Sequence, residues 1–100
     1  MTDTFQTVLR IDAAHPALAG HFPGDPVVPG VVLLERVAAA CKAWRGGRIA
    51  KLEAKFLQPL RPDEDAAIVL EGQDARIRFS VARADGSAVA RGTVETASRV

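Results

Sequence analysis

From Val31 to Arg45 the chain has neither glycine nor proline, and "GG" at Gly46 and Gly47 closes the run. Gly30 opens this stretch and Pro29 precedes it, which predicts a helix of about four turns over Gly30 to Arg45. Apart from Glu35, Arg36 and Lys42, the segment "VVLLERVAAACKAW" is apolar on nearly every side. A helix of that kind is a buried one. The requirement limits the fold more than any other feature. A small sheet must curl around the helix, and a second subunit would help to cover the rest.

The remainder of the chain supplies such a sheet. "FQTVLRI" (Phe5 to Ile11) reads as a first strand. After the helix, "RIAKLEAKF" alternates: Ala50, Leu52, Ala54 and Phe56 face one way, Ile49 aside, while Lys51, Glu53 and Lys55 face the other. "AAIVLEG" and "RIRFSVAR" follow as strands, the second with Ile77, Phe79 and Val81 inward. "ADGS" around Asp85 and Gly86 is a hairpin signal, and "AVARGTVE" is the return strand. The order β-α-β-β-β-β is an α+β chain, one long buried central helix wrapped by a curled antiparallel sheet. That is the hot-dog architecture.

Composition excludes several classes of function. With 100 residues, 48% hydrophobic and 25% charged, the chain reads as one globular domain over 1–100. A chain of this size buries roughly 60% of its unfolded surface, so a partner subunit would add stability. The net charge is +1 with acids and bases interspersed, which argues against a nucleic-acid footprint and a polybasic membrane patch. One cysteine, Cys41, excludes an intrachain disulfide and a multi-cysteine zinc site, and no metal is expected. "MTDTFQTVLRID" has no signal-peptide core, and no apolar run reaches about eighteen residues. A cytoplasmic, soluble protein is expected.

The loop "GHFPGDPVVPG", Gly20 to Gly30, holds three of the six prolines and three of the eight glycines. Proline fixes φ and glycine permits φ > 0, so this loop is stiff and takes unusual angles. It frames His21 with Phe22, Pro23, Gly24 and Pro26, and it launches the helix from Pro29. His21 is either a base held in place or a structural hydrogen-bonder. Asp25 reads as a brace of the turn, His15 as loop packing, and Cys41 as a small core residue. The Gly30 amide falls in the first helical turn, where a free N–H and the helix dipole can stabilise a developing oxyanion.

Glu35 is the anomaly of the helix. Its neighbours at helical contact spacing are Val31, Val32, Ala38 and Ala39, with no cation among them. Lys42 lies two turns away, roughly 10 Å along the axis. Such a carboxyl reaches solvent, finds a partner elsewhere, or keeps its proton at neutral pH, which suits a general acid. An ordinary surface glutamate is the competing reading.

"GHFPGDPVVPGVVLLE", Gly20 to Glu35, resembles the signature of the hot-dog 3-hydroxyacyl-[acyl-carrier-protein] dehydratases. In that pattern H-F-P-G-x-P-x-x-P-G leads into the central helix, and an acid follows fourteen positions after the histidine. His21 and Glu35 stand in that register. "KFLQPLRPDE", Lys55 to Glu64, is similar to the family's strand-and-turn after the helix. The chain is most similar to the compact dehydratase-like proteins of aryl polyene and fatty-acid-type gene clusters. Larger members often carry glutamine where this chain has Ala39, and a helix precedes the motif in them.

The resemblance implies dehydration of a 3-hydroxyacyl thioester on acyl carrier protein to the trans-2-enoyl thioester, without cofactor. His21 and Glu35 would be catalytic, and the Gly30 amide would bind the thioester oxygen. It also implies a homodimer, or a heterodimer with another dehydratase-like subunit, in which each site takes its histidine and its acid from different chains. Two rivals share the fold. A hot-dog acyl thioesterase uses a helix acid without needing the "HFPG" histidine, and a non-catalytic acyl-binding subunit would need neither residue.

Overall fold

Helix α1 spans Gly30–Arg45, the limits read from the sequence. Pro29 sits at its N-cap with extended angles, φ −60 and ψ 144, so the helix starts abruptly. At its other end Gly46 takes φ 70, a left-handed angle that glycine adopts without strain, and its N–H donates to the Lys42 carbonyl at 2.8 Å. The computed structural model describes residues 3–18, 26–73 and 75–97. Four of the sequence-predicted loop residues, His21, Phe22, Pro23 and Gly24, lie outside the described residues, as does Asp25.

Five strands pack against one side of the helix: β1 (Asp3–Leu9), β2 (Arg48–Phe56), β3 (Ala66–Gln73), β4 (Arg76–Arg83) and β5 (Ala88–Ala97). They form one antiparallel sheet in the order β1-β3-β4-β5-β2. The chain starts at one edge, crosses the sheet as α1, and lays β2 along the opposite edge. It then returns to pair β3 with β1 and fills the middle with β4 and β5. The β4–β5 hairpin turns at Asp85 and Gly86 as read, with the Ser87 N–H and hydroxyl both donating to Asp85 Oδ1 at 2.8 and 2.6 Å. Those two hydrogen bonds hold the Asp85 carboxyl below its ordinary range.

The core lies between the inner sheet face and one side of α1. Ile77, Phe79 and Val81 of β4 are buried as expected, against Val37 and Cys41 of the helix. Strand β1 ends at Leu9, two residues earlier than the alternation suggested, but Ile11 is still fully buried. Fully burying such a side chain stabilises the fold by about 1.5–3 kcal/mol. At the far end of the helix the Trp44 ring stacks on Phe5, centroids 6.1 Å apart.

Two expectations are corrected. First, α1 is buried on one side only. Val31, Glu35, Arg36, Ala39, Lys42 and Ala43 are exposed, because five strands cover one flank of a helix and leave the other open. Second, β2 does not alternate along its whole length. Its register against β5 shifts between Ile49 and Lys51, leaving Ala50 without a partner and exposed. The extra residue reverses the parity, so Ile49 joins Leu52 against the core.

Candidate active site

The N-terminal end of α1 opens into an apolar groove of about 450 Å³. Val28, Pro29 and Gly30 form one wall, and Phe56 with the strap Leu57–Leu60 forms the other. The strap leaves β2 at its end and is tied to the helix entry by the Val28 N–H, which donates to the Leu60 carbonyl at 2.8 Å. The Leu57 N–H donates to the Val89 carbonyl at 2.8 Å, fixing the strap to β5 as well.

Pro29 has no side-chain acceptor to offer the first turn. Its carbonyl takes the Val32 and Leu33 N–H groups at 3.0 and 3.4 Å. Among the described residues no acceptor takes the N–H of Gly30 or Val31. Two donors at the positive end of the helix dipole therefore point off the helix beside the groove. This is an arrangement able to bind an oxygen that carries or develops negative charge.

The structure adds a reason for glycine at position 30. A Cβ built there would lie 2.7 Å from Phe56 Cζ and 3.1 Å from the two neighbouring ring carbons. The ring lies against the bare glycine backbone, yet Phe56 remains 49% exposed. Val31 at 62% and Leu57 at 38% continue this exposed apolar surface. Phe56 and Leu57 were not singled out as site residues from the sequence. Alternation along β2 does place Phe56 on the inner face, but its proximity to Gly30 depends on the helix start.

Glu35 lies five residues beyond Gly30, about 7.5 Å along the axis. It shares the open stripe of Val31 and Ala39, and its carboxyl makes no hydrogen bond or ion pair among the described residues. The apolar surround expected from helical spacing is therefore half present. The neighbours are apolar, but one chain leaves Val31 and Ala39 exposed. Ala39 follows one turn on, also exposed. The structure thus brings Gly30, Pro29 and Glu35 to one end and one flank of the helix, while His21 falls outside the described residues.

The remaining candidates behave as bland residues. Cys41 is buried, and burial pushes its thiol above the ordinary value near 9.0, so it is no activated nucleophile. His15 braces its own loop, its Nδ1 accepting the Ala17 N–H at 3.1 Å. Among the described residues no group of histidine, cysteine and acidic side chains is arranged to hold a metal. None of the described helices is long and apolar enough to cross a membrane.

Known proteins are similar to this chain in sequence and in fold. The 3-hydroxyacyl-[acyl-carrier-protein] dehydratase FabZ of Pectobacterium atrosepticum is 32% identical over 101 residues, covering 89% of this chain. The chain spans 66% of the length of that relative. The dehydratase heterocomplex ApeI:P from Xenorhabdus doucetiae superposes with a TM-score of 0.83 at 18% identity, over 98% of this chain and 95% of that one. A 1,4-dihydroxy-2-naphthoyl-CoA thioesterase from Synechocystis superposes with a TM-score of 0.68 at 17% identity, over 92% and 79%. The hot-dog fold is thus common to a dehydratase and a thioesterase, and fold alone does not select the reaction. The model for ApeI-like proteins, described as ApeI dehydratase, matches residues 1–93. This chain belongs to the ApeI-like dehydratase family.

Proposed function

We propose that this protein removes water from 3-hydroxyacyl thioesters carried on acyl carrier protein, giving trans-2-enoyl thioesters in fatty-acid or aryl-polyene-type biosynthesis in the cytoplasm. The observation that carries this reading is the Gly30 amide, unpaired among the described residues, at the mouth of an apolar groove and in the position that the dehydratase motif requires. The groove suits an acyl chain, and the amide suits the thioester oxygen. His21 takes a proton from C2, which the thioester carbonyl acidifies. The Gly30 N–H, with the helix dipole behind it, stabilises the enolate-like oxygen. The Glu35 carboxyl then donates its proton to the departing C3 hydroxyl, which leaves as water. Pro29, Phe22, Pro23 and Gly24 hold the loop that presents the base. The scheme uses no metal and no redox cofactor.

Covering Glu35 is the task of a second subunit. Val31, Phe56 and Leu57 form an exposed apolar surface around the site, and β2 is an edge strand with one side unpaired among the described residues. A two-fold dimer across this surface covers Glu35 and brings the other chain's His21 to it. The partner is a second copy, or a related subunit as in the ApeI:P heterocomplex.

The test is incubation of the purified protein with 3-hydroxyacyl and 2-enoyl thioesters on carrier protein, followed by mass spectrometry of the acyl group. Loss or gain of one water supports dehydration. Release of free acid indicates a thioesterase instead, and unchanged substrate indicates an acyl-binding subunit.

A further inference from the structure

Arg83, at the end of β4, is placed away from the groove but holds one of its walls. Its side chain is only 15% exposed. Nε donates to Glu64 Oε1 at 3.3 Å, and Nη1 donates to Ser87 Oγ at 3.1 Å and to Gln58 Oε1. Nη2 donates to the Pro59 carbonyl. Three of these four acceptors belong to the segment that follows β2. That segment contains Pro59 and Pro62 and has no strand ladder to satisfy its carbonyls. Glu64 is itself fastened to the same turn, its Oε1 accepting the Arg61 N–H at 3.1 Å.

The strap then acts on the helix entry. Pro59 precedes Leu60, whose carbonyl accepts the Val28 N–H at 2.8 Å, and Val28 is two residues from Gly30. We propose that Arg83 is a positioning residue. Its guanidinium fixes the strap Leu57–Leu60 and, through the Leu60–Val28 hydrogen bond, the distance across the groove beside the Gly30 amide. The catalytic half of this inference rests on the groove being the acyl-thioester site; the structural half does not. Only a planar fork of donors spans Glu64, Gln58 and Pro59 together, and a lysine ammonium reaches fewer of them.

The test uses Arg83→Met and Arg83→Lys in the full chain, with Arg78→Met as control. Arg78 lies on the outer face of the same strand, paired with Glu71 at 2.8 Å and remote from the strap. Amide hydrogen exchange is read at Val28 and, for reference, at Leu70 in the sheet centre. In Arg83→Met the Val28 amide exchanges about tenfold faster relative to Leu70, because the opening is local rather than global. Arg83→Lys shows a smaller change in the same direction, and it carries the measurement where Arg83→Met does not fold. Arg78→Met shows none. With a 3-hydroxyacyl thioester, Arg83→Met lowers kcat by about ten- to a hundredfold, and Arg83→Lys recovers part of it. An unchanged Val28-to-Leu70 ratio in a folded Arg83 variant overturns the proposal. So does faster Val28 exchange with wild-type kcat. If the wild-type protein turns over no hydroxyacyl thioester, the dehydratase reading fails, while the exchange ratio still decides whether Arg83 positions the strap.

Discussion

The two ends of α1 solve the same problem differently. At the C-terminal end the chain closes on itself. Trp44 stacks on Phe5, the Arg45 guanidinium lies 4.0 Å above the Trp44 ring, and Arg45 Nη2 donates to the Gly72 carbonyl at 2.6 Å. Gly46 completes the helix with a backbone hydrogen bond. At the N-terminal end Val31, Phe56 and Leu57 are exposed, the first two amides are unpaired among the described residues, and Glu35 stands open. Two ends of one helix in one small protein therefore differ in completeness. The closed end is built for stability. The open end leaves uncovered the apolar surface that the proposed second subunit and substrate would fill.

Substitutions at the two ends should separate along those lines. Glu35→Gln removes the proposed proton donor, a carboxyl with no hydrogen bond or ion pair among the described residues. Turnover should fall by about a hundredfold or more, while the thermal midpoint of the protein stays within about a degree of wild type. Turnover within a few-fold of wild type would reduce Glu35 to a surface residue. Trp44→Ala should give the opposite result, a loss of about 2 kcal/mol in denaturant unfolding from a half-buried ring. Its activity per folded molecule should be unchanged.

Smaller effects sharpen the contrast. Gly30→Ala should displace the Phe56 ring, since the new Cβ would lie 2.7 Å from Cζ. About a tenfold loss of kcat/KM with little change in stability is expected, because the ring is half exposed and free to turn. Gly30→Pro is not a clean test of the amide. It deletes the donor, but it also brings a Cβ against the same ring.

The smallest effect concerns the closed side. Burial raises the Cys41 thiol above its ordinary value near 9.0, so the folded protein binds the proton more tightly than the unfolded chain. Stability should therefore be unaffected below that value and decline as pH rises from it toward the folded pKa. Cys41→Ala should lose that alkaline slope in unfolding experiments between pH 8 and 10.

The closed half of the molecule was legible in the sequence and the open half only in outline. Helix limits at Gly30 and Arg45, the Asp85–Gly86 turn and the inward row Ile77, Phe79 and Val81 follow from local chemistry and alternation. The bulge at Ala50 does not, because it is set by the register of β2 on β5, a long-range pairing that "RIAKLEAKF" does not encode alone. The apolar circumference of α1 was legible, but not which surfaces cover it. Residues 31 and 39 look as buried in sequence as residues 33, 37 and 41. Only the strand order shows which row meets the sheet. The Gly30 amide was legible as a helix-start donor, whereas the ring over it was not.

The open end is proposed to be half of a site that a second subunit completes. Neither a His21→Ala homodimer nor a Glu35→Ala homodimer contains an intact histidine–acid pair. After dissociation, mixing and re-association, about half of the dimers should carry one chain of each kind. Each mixed dimer has both lesions in one site and none in the other, so activity should recover to roughly a quarter of wild type. If native mass spectrometry confirms the mixed dimer and activity stays at the level of the single variants, the two residues do not meet across a subunit boundary.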